Sequence, residues 1–319
     1  MRALITGVAG QDGTLLSKEL LRNGWVVFGT KLPFEELHQT HALSDSLIID
    51  LDITDAKELQ TTLLDCKPNV IFHFAAMSSV GGSWKECART MHVNLVGTAN
   101  LLESIADNAP HAHLINAAST EIFGSESKNL DENSALAPNS PYGISKAAAF
   151  ELCNAYRDRK MVKATNAILA NHESYLRSDT FVTGKIAKCV ARISLGLENE
   201  MVLGNIDVSR NWSAASDFML AFRKIAETNY IGNIILANNS STHLSDIIRS
   251  AFESVSICDW ENYVRTSEEL VRQNDTRSQT IDTSVAKKYL DWEATTPMNV
   301  WIGEMVAHHV RELKSSLDS

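Results

Sequence analysis

The chain has 319 residues, 44% hydrophobic and 21% charged, with a formal net charge of −10. This is ordinary globular composition, long enough for one large domain or two closely joined ones. An acidic chain with no long basic run argues against nucleic-acid binding, since phosphate neutralisation supplies most of that affinity. No stretch approaches the ~20 apolar residues of a membrane span.

The first half alternates strand and helix. "RALITG" reads as a short strand, with no signal peptide before it. "LLSKELLRNG" has helical periodicity and ends on Gly24, which suits a left-handed cap. "WVVFGT" and "SLIIDLDIT" carry the next strands. "DAKELQTTLLDC" is an amphipathic helix that Asp55 is expected to cap. "NVIFHFAA" reads as a buried strand, "CARTMHVNLVGTANLLESIADN" as one long helix, and "HAHLINAAST" as the next strand. A helix follows from Tyr142, then the strand "ATNAILAN". This alternation predicts an α/β fold with a doubly wound parallel sheet of the Rossmann type.

Beyond Asn171 the rhythm loosens, with helices at "TFVTGKIAKCVARISLG", "AASDFMLAFRKIAETN", "HLSDIIRSAFESV" and "VWIGEMVAHHVRELKSS" and short strands at "MVLGN" and "GNIILANN". We expect a dinucleotide-binding domain over 1–170 and a smaller mixed α/β substrate region over 171–319 that shares its core. The five cysteines, Cys66, Cys87, Cys153, Cys189 and Cys258, show no metal-ligand spacing. Reduced thiols in a cytoplasmic protein are the expectation. No metal site is expected, and His308 and His309 read as surface residues of a late helix. His73 reads as a hydrogen-bonded core histidine, and Trp292 and Trp301 as packing residues.

"TGVAGQDG" lies between a predicted strand and a predicted helix. In that setting Gly7, Gly10 and Gly13 permit a tight turn and close backbone approach. The helix N-terminus, with Gln11 and Asp12, then offers free N–H groups to a pyrophosphate. The spacing is Gly-x-x-Gly-x-x-Gly, and no carboxylate ends the second strand, where an NAD ribose is usually read. Lys31 stands there instead. It either meets a 2′-phosphate, which favours NADP over NAD, or is a solvated surface lysine.

Tyr142 and Lys146 fall four apart on one predicted helix and so share a face. An ammonium beside a phenol lowers the phenol's pKa, so Tyr142 is expected to be tuned toward working pH. "NAASTEIFG" places Ser119, Thr120 and Glu121 at a strand's carboxyl end, where open α/β sheets bind ligands. A hydroxyl there can bond a reacting oxygen, and a carboxylate can move a carbon-bound proton. Singly, these residues also serve as strand-end caps or a solvated acid.

Together these pieces resemble the extended short-chain dehydrogenase/reductase family over nearly the whole chain. The resemblance implies a nicotinamide cofactor, a nucleotide-sugar substrate and a Ser119, Tyr142 and Lys146 catalytic triad. It also implies cofactor contacts from Asp52, Ile53, Ala75, Ala76 and Ser78, with Asn94 in a structural role. "GVAGQDGTLL", "NHESYLRSDTFVTGKI" and "LGNIDVSRNW" are similar to the GDP-mannose 4,6-dehydratase subfamily. By position, His172 and Arg177 would touch the cofactor. Thr120, Asn171, Thr180, Val182, Lys185 and Arg210 would line the GDP-sugar, with Arg272 and Asp275 on the nucleotide side. "KLPFEE" replaces an Arg-Arg pair of the subfamily, Tyr175-Leu176 replaces Pro-Arg, and Gly184 replaces an arginine. The resemblance implies a homodimer formed through the helices that contain "CARTMHVNLVG" and Tyr142. A 4-keto-sugar reductase, a C4 epimerase and a non-catalytic cofactor-binding regulator remain the other readings; Glu121 favours the dehydratase.

Overall fold

The computed structural model describes residues 1–38, 41–124, 129–270 and 280–317. Strands β1 (Arg2–Thr6), β2 (Val26–Lys31), β3 (Ile48–Asp50), β4 (Val70–His73), β5 (His113–Ser119) and β6 (Lys163–Leu169) join the strand Gly232–Leu236 in one parallel sheet. From edge to edge the order is Gly232–Leu236, β6, β5, β4, β1, β2, β3. Every residue of β4 and β5 is buried. Such continuous burial needs a sheet covered on both faces.

Helices supply the cover. These are α1 (Gln11–Arg22), α2 (Ala56–Cys66), α3 (Val80–Ser83), α4 (Cys87–Met91), α5 (Gly97–Asn108) and α6 (Pro141–Asp158), followed by α7 (Val182–Ser194), α8 (Ala215–Thr228), α9 (Leu244–Glu253), α10 (Ser284–Leu290) and α11 (Met298–Leu317). On one face α2 and α5 pack Leu59, Leu63, Leu101 and Ile105. On the other, α1 and α8 pack Leu16, Leu20, Phe218 and Phe222. Asp55 caps α2 by accepting from the backbone N–H groups of Lys57 and Glu58, both at 3.0 Å. Gly24 closes α1 at φ +75°.

A second core lies between α7, α9 and α11, where Ile186, Val190, Ile248, Phe252, Trp301 and Met305 meet. The chain returns to the main sheet between α7 and α9, since α8 and Gly232–Leu236 belong to the first core. No described helix is long and apolar enough to cross a membrane.

One helix differs from its sequence expectation. The segment from Cys87 to Asn108 is divided by a π turn at His92–Val96. The turn directs the buried Asn94 side chain inward. Its amide donates to Met77 O (3.1 Å) and Ser145 Oγ (2.9 Å) and accepts from Met77 N (2.8 Å). The widened turn thus ties the loop after β4 to α6, a use typical of π turns.

Candidate active site

The strand order reverses between β1 and β4, so the loops leaving them part and open a crevice. A cavity of about 630 Å³ lies there, at the carboxyl ends of the strands. Gly7 turns the chain at φ +74°, and a Cβ on it would stand 2.8 Å from Ala75 N. Only glycine fits both constraints. A Cβ on Gly10 would meet only Gly7 O, at 3.4 Å. The turn therefore presents bare backbone to the cavity at the start of α1, which fits a dinucleotide's pyrophosphate.

The residues expected to react gather along one wall. Ser119 ends β5, Glu121 lies in the following 3₁₀ turn, and Tyr142 and Lys146 open α6; all four line the cavity. Thr120 is buried behind them, outside the lining. Ser140 Oγ caps α6 by accepting from Gly143 N at 3.0 Å, and Ser83 Oγ accepts from Tyr142 N at 3.1 Å. A Cβ on Gly143 would stand 2.7 Å from Glu121 O. The bare glycine thus lets the first turn of α6 approach the 3₁₀ turn that carries Glu121 closely.

The electrostatics differ from the sequence expectation. Burial pushes the Tyr142 phenol up to about 12; its hydrogen bond with Ser119 pulls the other way, and Glu121 and Asp12 raise it further. The Lys146 ammonium donates to Ala117 O at 2.8 Å. Burial brings Lys146 itself down to about 8.

The opposite wall is a charged network. His172, in β7 (Asn171–Glu173), stacks on Phe218 at 4.7 Å and faces Asp12. Gln11 Nε2 donates to His172 O and Asp12 Oδ1, both at 3.1 Å, and Ser174 Oγ donates to Gln11 Oε1 at 2.8 Å. Arg177 donates to His172 O and, through Nε, to Glu173 Oε2 at 2.8 Å. Thr183 Oγ1 donates to the same carboxylate oxygen at 2.7 Å. Glu173 is buried and was not singled out by sequence reading. Its place directly after His172 in "NHES" was the available signal.

β7 pairs in parallel with Trp212–Ala214, which carries the cavity toward α7 and α9. Here the lining includes Asn171, Thr180, Val182, Lys185, Arg210 and Trp212. Lys185 Nζ donates to Val202 O at 2.6 Å. With Arg210 it supplies positive charge at this end of an acidic chain, as an anionic group requires. Gln11, Asp12, Gly13, Ala76, Ser78, His172 and Arg177 line the other end.

Some expected contacts lie elsewhere. Lys31, Asp52, Ile53 and Ala75 are outside the cavity lining. Lys31 is paired with Asp50 at 2.7 Å. Asp52 accepts from Thr54 N and Oγ1 at 2.9 and 2.8 Å. Ile53 packs against Gly97, and Ala75 N donates to Thr6 Oγ1 at 3.2 Å. Arg272 and Asp275 fall outside the described residues. His73 is held between Thr6 (2.7 Å) and Thr98 (3.1 Å), a satisfied core histidine. His38, unexpected at this site, lines the cavity from the loop after β2.

The fold recurs in solved structures. The dTDP-glucose 4,6-dehydratase from Bacillus anthracis in complex with NAD matches at a TM-score of 0.85 and 19% identity, covering 98% of each chain. RMD from Pseudomonas aeruginosa complexed with NADPH matches at 0.81 and 19%, covering 98% of this chain and 100% of that one. GDP-mannose 4,6 dehydratase 1 of Arabidopsis thaliana is 31% identical over 306 residues, 91% of this chain and 84% of the relative. The family model for GDP-mannose 4,6 dehydratase matches residues 4–305. That match runs from β1 into α11 and takes in both ends of the cavity, so the chain belongs to the GDP-mannose 4,6-dehydratase family.

Proposed function

We propose that the protein converts GDP-mannose, or a related GDP-sugar, to the 4-keto-6-deoxy sugar by an internal redox cycle. The observation that carries this reading is the meeting of Ser119, Glu121, Tyr142 and Lys146 at one cavity in a chain of the dehydratase family. A bound nicotinamide dinucleotide supplies the hydride acceptor and later the donor, with no net change. Gly7, Gly10, Gln11, Asp12, Gly13, Ala76, Ser78, His172 and Arg177 hold it.

Tyr142 takes the proton of the sugar 4-hydroxyl, with Ser119 bonded to its phenol. The form of Tyr142 that accepts this proton is the phenolate; burial holds the phenol at about 12, and the positive charge of an oxidised nicotinamide held in the cavity would favour its ionisation. The resulting 4-ketone acidifies the C5 proton, and Glu121 removes it. Glu121 passes that proton to the departing C6 hydroxyl, which leaves as water. Hydride is then delivered to C6, and the proton taken up by Tyr142 is passed on to C5, so that one water is lost overall. Lys185 and Arg210 hold the diphosphate, with Asn171, Thr180 and Val182 along the sugar; Arg272 and Asp275 are assigned to the nucleotide.

NADP is the proposed preference over NAD, resting on Lys31. To meet a 2′-phosphate Lys31 must exchange its bond to Asp50. A homodimer through α4, α5 and α6 is proposed on the exposure of Val96 and Ile144 there. A cytoplasmic location agrees with five free thiols.

The test is incubation with GDP-mannose and catalytic NADP or NAD, followed by mass spectrometry. Loss of one water without net cofactor consumption is expected. An unchanged sugar mass, in protein shown to bind cofactor, would overturn GDP-mannose as the substrate.

A further inference from the structure

Outside the reacting wall, side chains from three distant parts of the chain converge beside the cavity mouth. His38 comes from the loop after β2, Tyr175 from the segment after β7, and His308 and His309 from α11. The rings stand close together: His38 to His308 at 5.8 Å, Tyr175 to His308 at 4.9 Å, and His38 to Tyr175 at 5.9 Å. The His308 and His309 side chains are only 14% and 18% exposed, so the surface role expected from sequence does not describe them. Glu312 lies one helical turn on, its carboxylate 3.2 Å from His308 Nε2 and 3.4 Å from His309 Nδ1.

One nitrogen of His38, one of His308 and one oxygen of Glu312 all lie within 4.8 Å of one another. We propose that these three side chains bind a divalent transition metal of the zinc class, which ties the loop after β2 to α11. Tetrahedral ligands about 2.1 Å from zinc stand about 3.4 Å apart. The His308–Glu312 pair already has that separation. A change in the His38 side-chain torsions closes the remaining separations, which are at most 4.8 Å. Spacing i,i+4 on a helix puts His308 and Glu312 on one face. Two imidazoles and a single carboxylate select zinc, nickel, cobalt or copper over magnesium or calcium, which prefer oxygen ligands. Three protein ligands leave a fourth position for water. The metal does no chemistry on the sugar in this proposal. Its effect is to fix His38, a wall residue of the cavity, against the C-terminal helix.

The experiment is calorimetric titration of the full, chelator-stripped chain with Zn²⁺, alone and in variants. Cobalt substitution reports the coordination geometry. One equivalent is expected to bind, and Co²⁺ is expected to give the intense visible bands of a tetrahedral site. His308→Ala and Glu312→Gln should each weaken binding by at least about tenfold, whereas His309→Ala should leave it unchanged. Glu312 is 54% exposed, so its glutamine variant keeps the fold and decides the matter if the histidine variant does not. Absence of saturable binding near one equivalent, or parental affinity in Glu312→Gln, overturns the site. Loss of binding in His309→Ala with retention in His308→Ala overturns the ligand assignment.

Discussion

His172 presents both ring nitrogens to acceptors: Nε2 lies 3.0 Å from Asp12 Oδ2, and Nδ1 lies 2.8 Å from Ala170 O. Only the protonated ring can donate to both. Burial opposes charge on each member, yet Asp12 holds the His172 pKa above its usual value. His172 and Arg177, against the same opposing burial, bring Asp12 down to about 2. A raised histidine stabilises the fold below its unfolded value of ~6.5, and the effect fades as pH rises through the folded value. A depressed carboxylate stabilises above ~3.9, and that contribution fades as pH falls toward about 2. The pair is therefore strongest between about pH 4 and 6.5. Asp12→Asn should cost on the order of 2 kcal/mol there. The cost should shrink toward pH 2 and above neutrality, as read by urea denaturation across pH. A cost that does not vary with pH would show that the bond is not ionic.

Glu121→Gln separates the two halves of the proposed reaction. The amide keeps the volume and the contacts of the 3₁₀ turn but accepts no proton. Oxidation at C4 should survive, visible as a single-turnover rise in reduced-cofactor absorbance. Release of water should fall by about 10²–10⁴-fold, the usual share of a general base. Parental water release in this variant would remove Glu121 from the mechanism.

Gly143→Ala probes how Tyr142 and Glu121 are set against one another. The new methyl would stand 2.7 Å from Glu121 O and 3.2 Å from Pro138 Cβ. One contact is backbone, so α6 or the 3₁₀ turn must shift. A loss of about 1–3 kcal/mol is expected, as for other overpacked sites. The turnover rate should fall while cofactor affinity holds, because the Gly7–Gly13 turn is untouched. Unchanged turnover would mean that this spacing is slack.

Much of this arrangement was legible in the chain because the controlling interactions are local. The strand–glycine turn–helix order, the Asp55 cap and the i,i+4 relation of Tyr142 and Lys146 depend on near neighbours. What the sequence concealed depends on distant ones. Lys31 meets Asp50 on the adjacent strand. Lys146 donates to a carbonyl of β5, a partner 29 residues away. His38 is brought to the cavity and to α11 only by the path of the loop after β2. Tyr175, where the subfamily pattern has proline, packs between His38 and His308. Helix periodicity places His308 on a face but says nothing of what covers that face.

Lys146 carries a stability cost that follows from its burial. Its pKa is brought down to about 8 by desolvation, against weaker opposing pulls from Cys153 and Asp12. Unfolded, it titrates near ~10.4. Between these values the unfolded chain binds the extra proton, so the lysine's contribution makes stability rise with pH across that window. Below about pH 8 the native state holds a buried ammonium at a cost of about 3 kcal/mol. Loss of its bond to Ala117 O offsets about 1 kcal/mol of any gain from removing it. Lys146→Met should therefore be inactive yet more stable than the parent near pH 6.5, by on the order of 1–2 kcal/mol. The gain should disappear by about pH 10. Urea denaturation of the cofactor-free proteins at pH 6.5 and 9.5 reads both numbers. A variant less stable at pH 6.5 would mean that the ammonium is stabilised in place, and that Tyr142 acts beside a permanent cation.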